Sequence, residues 1–113
     1  MSSKILVRLM VERPGERAAA DDAEVLLEML RSFGSVDAPA IEKYWKIEEW
    51  FHVGIVLEAE DAEATLLRVA QHLADTWHWG PGRHWAIWDL RLHGAFKIER
   101  LAAHARWAHI EIV

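Results

Sequence analysis

Cysteine is absent from the 113 residues. That excludes a disulfide framework and a thiolate metal site, and it suits a reducing compartment. Serine is scarce: Ser2, Ser3, Ser32 and Ser35 lie at the terminus or near a predicted helix end. None sits in a G-x-S-x-G elbow, so a serine nucleophile has no sequence support. No GxxxxGK or GxGxxG run is present to cradle phosphates. No stretch reaches the ~20 apolar residues of a membrane helix. The opening MSSKILVRLMVERPGER breaks its apolar run at Arg8 and shows no small-residue cleavage site. The expectation is a soluble, cytoplasmic chain without a membrane or cofactor, read against rather than toward an enzyme.

What the chain does hold is apolar bulk and acid. It is 52% hydrophobic and 27% charged, with a formal net charge of −5, which describes one globular domain over residues 1–113. Residues 1–63 carry 14 of the 18 acids against 7 Lys or Arg. Residues 64–113 carry 4 acids, 6 bases and six of the seven histidines. An acidic surface repels phosphate backbones, so nucleic acid is an unfavoured partner. A basic protein would be attracted and steered instead.

Periodicity supplies an element order. Ile5, Val7, Leu9 and Val11 alternate as a first strand, ended by Pro14-Gly15. Asp21 and Glu24 mark a helix start, Val25, Leu26, Met29, Leu30 and Phe33 its apolar stripe, and Gly34 its stop. The run from Ile41 to Ala59 reads as one long strand, possible bulge included. A hairpin turning near Glu48-Glu49 is the alternative, although no Gly, Asn or Pro marks a turn there. Asp61 opens a second helix with Leu66, Val69, Ala70, Leu73 and Trp77 as its core stripe. Gly80-Pro81-Gly82 turns the chain into a strand from Arg83 to Leu92, and RWAHIEIV closes it with Ala108, Ile110 and Ile112 inward. The expected fold is α+β. It resembles a ferredoxin-like two-layer sandwich, an antiparallel sheet of four to five strands with two helices on one face.

Seven histidines raise the question of a metal. No pair has the i, i+4 or Cys-flanked spacing of a zinc site, so no metal is expected; a three-dimensional site built from His78, His84 and His109 is the alternative. The seven tryptophans say more. Strand parity divides them between two faces. With helices on one face, Trp50, Trp88 and Trp107 are expected on the other beside His52, His84 and His109. Such a face should be covered by segment 95–105, a ligand, a second copy or another protein.

In size, acidity and tryptophan-rich composition over its whole length, the chain resembles the immunity proteins of bacterial toxin systems, contact-dependent growth inhibition among them. That resemblance implies a cytoplasmic protein that neutralises a cognate toxin, often a basic nuclease, by occluding it. Glu42, Glu48, Glu49, Glu58 and Glu60, with Trp45 and Trp50, are then the expected contacts for a basic partner. The alternative resemblance is to dimeric α+β-barrel proteins, which include cofactor-free monooxygenases. It makes the set Trp50, His52, His84, Trp88, Trp107 and His109 the lining of a pocket in a homodimer.

Overall fold

A computed structural model describes residues 3–113; Ser2 lies outside them. Among the described residues the chain is α+β, with seven strands in one antiparallel sheet and four α-helices. The strands are β1 (Ser3–Glu12), β2 (Ser35–Val36), β3 (Ala40–Lys43), β4 (Trp50–Ala59), β5 (His78–Trp79), β6 (Trp85–Asp89) and β7 (Ala105–Ile112). The helices are α1 (Glu16–Leu30), α2 (Ala62–Leu73), α3 (Leu90–His93) and α4 (Glu99–Ala102). Their order across the sheet is β2-β4-β1-β7-β6-β5, with β3 beside β2 on the same flank of β4. Seven strands stand where four to five were expected, because β2, β3 and β5 are two to four residues long. Strands that short are defined by their pairing rather than by any pattern in the sequence.

The core forms between one face of the sheet and the two long helices. Ile5, Val7, Leu9 and Val11 of β1 face the same way as Phe51, Val53, Ile55 and Leu57 of β4, register partner by register partner. Ala108 and Ile110 of β7 and Ala86 and Trp88 of β6 continue that face. Ala19, Ala23, Leu26, Leu27 and Leu30 of α1 and Leu66, Val69, Ala70 and Leu73 of α2 close over it. Asp61 caps α2 as expected, its carboxylate accepting the Ala64 N–H at 3.1 Å.

Several sequence expectations give way. Helix α2 ends at Leu73, so Trp77 lies past it rather than in its stripe, its indole N–H turning back to the Ala70 carbonyl at 2.9 Å. The strand expected over Arg83–Leu92 is shortened to β6, because Asp89 caps α3 by accepting the Arg91 N–H. Helix α1 starts at Glu16, not near Asp21, because the good helix formers Arg17 to Ala20 extend it and fully buried Ala19 and Ala23 let it approach the sheet closely. Asp22 is consequently interior, 3.4 Å from Arg13, and burial holds its carboxyl above the usual carboxylate range. Gly34 serves close approach rather than a helix stop, since a Cβ there would stand 2.2 Å from the Glu58 carbonyl oxygen. The run 41–59 is a hairpin, not one long strand. Glu49 takes the left-handed conformation (φ 67°) that a Gly or Asn would have signalled.

Trp88 is the largest correction. It lies on the helix face opposite Ala108, with no exposed surface. Its indole N–H donates to the Gly94 carbonyl at 3.0 Å, and its ring lies 4.3 Å from that of Phe96. Segment 95–105 therefore joins the helix layer and leaves the other sheet face open: Phe96 and Leu101 are buried in the core, and the Lys97 N–H donates to the Leu73 carbonyl at 2.7 Å. Trp88→Ala should cost about 3–5 kcal/mol in urea unfolding, with Trp88→Phe losing clearly less. A loss under about 1 kcal/mol would contradict this burial.

Candidate functional site

The open face is built from the other parity of the same strands. β1 contributes Leu6, Arg8, Met10 and Glu12, and β4 contributes Trp50, His52 and Val56. β7 adds Trp107, His109 and Glu111, while β6 adds Trp85, Ile87 and Asp89. Four of the six residues expected there, Trp50, His52, Trp107 and His109, do share this face. Trp88 does not, and neither does His84. Strand β6 begins only at Trp85, so parity does not reach back to His84, whose ring lies 3.4 Å from Glu63 of α2. His78 and His109 stand on either side of the Trp85 ring, at 5.8 and 6.4 Å. His84 is on the opposite side of the sheet, so the three do not converge. Among the described residues no group of three or more His, Asp or Glu is placed to hold a metal.

Arg8 occupies the middle of this face. It pairs directly across from Gly54 on one side and His109 on the other. The Arg8 Nε–H donates to His52 Nε2 at 3.0 Å, and the guanidinium lies 5.7 Å from the Trp107 ring centroid. Gly54 lies beside the His52 ring, where a Cβ would make an ordinary contact at 3.4 Å. Burial, and then the Arg8 charge, holds His52 below the ordinary histidine value, while Glu42 pulls the other way. Burial is also the main cause that lowers His109, with Glu111 opposing and Arg8 adding to it. His109 stacks on Trp107 at 6.0 Å, and its Nδ1 is buried with no hydrogen-bond partner among the described residues.

At one end of the face the β3–β4 loop and the β6–α3 junction enclose a pocket of about 460 Å³. β1 contributes Arg8 and Met10, β7 contributes Arg106 and Trp107, and the loop with the start of β4 contributes Tyr44, Ile47 and Trp50. Asp89, Leu90 and Arg91 complete the lining. Glu12 ties two walls together: its Oε1 accepts from Trp50 Nε1 at 3.3 Å and from Arg106 Nε at 3.1 Å. Arg91 is bonded to both Asp89 oxygens at 3.2 and 2.9 Å, and these bonds hold the Asp89 carboxyl below its usual range. Arg8 has no carboxylate within ion-pair distance among the described residues.

Sequence reading missed Arg8, Met10 and Trp85. The signal was present for the first two, since they are the even positions of a strand whose odd positions are Ile, Val and Leu. The seven residues expected to meet a basic partner divide into two groups. Glu42, Trp45, Glu48, Glu49 and Trp50 belong to the β3–β4 hairpin. Glu58 lies at the far end of β4 and Glu60 just past it, eight and ten residues beyond Trp50, which is roughly 26–33 Å along an extended chain.

Both histidines titrate lower in the folded chain than unfolded, so the unfolded chain takes up protons first. The stability they contribute is complete above about pH 6.5 and is lost as the pH falls below it. Urea unfolding from about pH 7.5 to about pH 5.5 should show that decline, and His52→Gln with His109→Gln should flatten it. A decline unchanged in the double variant would show that other groups cause it.

Comparison with family models, curated proteins and solved structures found no match to this chain.

Proposed function

We propose that this chain is a binding protein without chemistry of its own, and that it engages a protein partner with the hairpin end of its open sheet face. The observation that carries the reading is Trp45, 82% exposed on the β3–β4 loop. Ile47 on the same loop is 42% exposed, and Leu92, next to the pocket residue Arg91, is 76% exposed. Apolar side chains of this size, in the lining of one concavity or next to it in the sequence and left in water, mark a surface that a partner covers. Glu48 and Glu49 beside them favour a partner with a basic rim. The physiological role that fits is immunity: a cytoplasmic protein that neutralises a cognate toxin, such as a basic nuclease, by occluding it. Glu58 and Glu60 then contribute long-range attraction rather than contact.

The test starts from the reading frame immediately upstream of this chain's gene, where a toxin-like domain is expected; a neighbour of another kind would count against the role. Co-expression should protect cells from the toxin-like domain. Trp45→Ala should weaken the complex by about ten-fold or more while leaving unfolding within about 0.5 kcal/mol. Charge reversal at Glu48 and Glu49 should slow association and reduce its salt dependence. No binding, or an affinity indifferent to all three changes, would overturn the reading.

A second reading rests on the row Trp50, His52, Arg8, Trp107 and His109. The order β3-β4-β1-β7, with α1 and α2 on the opposite face, supports a ferredoxin-like sandwich extended by the β5–β6 hairpin. In dimeric α+β barrels two such faces pair over a small ligand, and the pocket here would be the ligand site of a small enzyme or carrier. Light scattering separates the versions: a dimer at micromolar concentration supports paired sheets, and a monomer removes them.

A further inference from the structure

We propose that the pocket on the open face is a binding site for a small monocarboxylic acid with a flat, apolar body, held by Arg8. The proposal rests on the ligand-pocket reading above and does not depend on the hairpin's protein partner.

Three arginines line the pocket, and two of them already have their counter-charge. Arg106 donates Nε to Glu12 and Nη1 to the carbonyls of Ala103 and Ala105. Arg91 forms its two-pronged pair with Asp89. Arg8 is different. It is half-buried on a central strand, and the one side-chain acceptor it meets among the described residues is neutral: His52 takes its Nε–H through Nε2. That bond and the Trp107 ring hold the guanidinium in place, and no described residue engages its terminal nitrogens. A guanidinium without a carboxylate in a partly desolvated concavity gains a two-pronged, charge-assisted pair when a carboxylate enters.

The remaining walls set the rest of the ligand. Met10 and Arg8 lie on β1 with Trp50 on the neighbouring strand on one side and Trp107 on the other. Tyr44, 6.4 Å from Trp50 ring to ring, and Ile47 extend the apolar wall away from Arg8. Two aromatic walls with a thioether between them suit a flat ring system, which stacks in offset or edge-on geometry. The volume of about 460 Å³ falls within the range of small-molecule sites, about 300–1,000 Å³. An amine-bearing ligand would bring a second cation beside Arg8, and a phosphodiester polymer would meet the acidic hairpin.

The test uses the full chain, with 2-naphthoate as the probe and 2-naphthylmethanol as its uncharged counterpart. Calorimetry should show 2-naphthoate binding about ten-fold or more tightly than the alcohol, with affinity falling as salt is raised. The indole N–H signals of Trp50 and Trp107 should shift on titration while that of Trp88 stays put. Arg8→Gln should remove the preference for the acid while keeping binding of the alcohol. Should that variant fail to fold, the acid-to-alcohol ratio and the indole shifts of the unaltered chain decide the matter. Equal binding of the two probes at Trp50 and Trp107 would overturn the carboxylate assignment and leave the pocket a ligand site. Binding of neither probe, or shifts at other tryptophans alone, would overturn both.

Discussion

Strand β1 is paired with β4 along all ten of its residues and with β7 from Ile5 to Val11, and this double pairing decides what the residues of that stretch meet. Its odd positions, Ile5 through Val11, find the apolar residues of both neighbours and the helices above them. Its even positions find His52, Trp107 and His109. Core and candidate site are therefore two sides of one strand. A slip of one residue would drive Arg8 into the helix layer and bring Ile and Val to the pocket, so the register of the core also enforces the geometry of the site. The irregularity between Met10 and Val11 in the β7 pairing falls at the pocket end of the strand, where Trp107 and Arg106 enter the lining.

Net charge describes this surface poorly. An excess of acid over base coexists with a concavity lined by three arginines, because the acids concentrate on helix surfaces and loop tips while Arg8 and Arg106 project from interior strands. Glu12 shows how the two are reconciled. A single carboxylate oxygen holds the indole of Trp50 and the guanidinium of Arg106, which joins strands β4 and β7 across β1. Composition averages over such arrangements, and partner chemistry is decided where groups converge.

Much of the fold was legible because it depends on local pattern. The alternation of β1 and β7, the cap of α2 and its stripe from Leu66 to Leu73 need no knowledge of the rest of the chain; the helix stops short of Trp77, which the periodicity includes. What was not legible depends on pairing. Parity separates Trp85 from Trp88 but does not say which faces the helices; the register of Ala86 with Ile110 and of Trp88 with Ala108 decides that. His84 follows no parity because the strand begins after it. The β3–β4 turn was hidden because Glu49 adopts a conformation that its residue type does not advertise. Of the candidate site, Trp50, His52, Trp107 and His109 could be read from alternation. Arg8, lying in an otherwise apolar strand, was passed over as an interruption of that strand.

The short strands at the margins of the sheet have a consequence for how the molecule behaves in a crowded solution. The outermost strands are β2 and β3 on one flank and β5 on the other, none longer than four residues, and β3 carries Glu42 and Lys43. A margin this brief presents few free backbone donors and acceptors in a row, so a foreign strand has little template on which to extend the sheet. The long, regular strands, which would make the best templates for fibrillar stacking, are enclosed on both sides by their neighbours. A chain this rich in tryptophan and alternating apolar residues thus keeps its most aggregation-competent segments out of reach for as long as it stays folded.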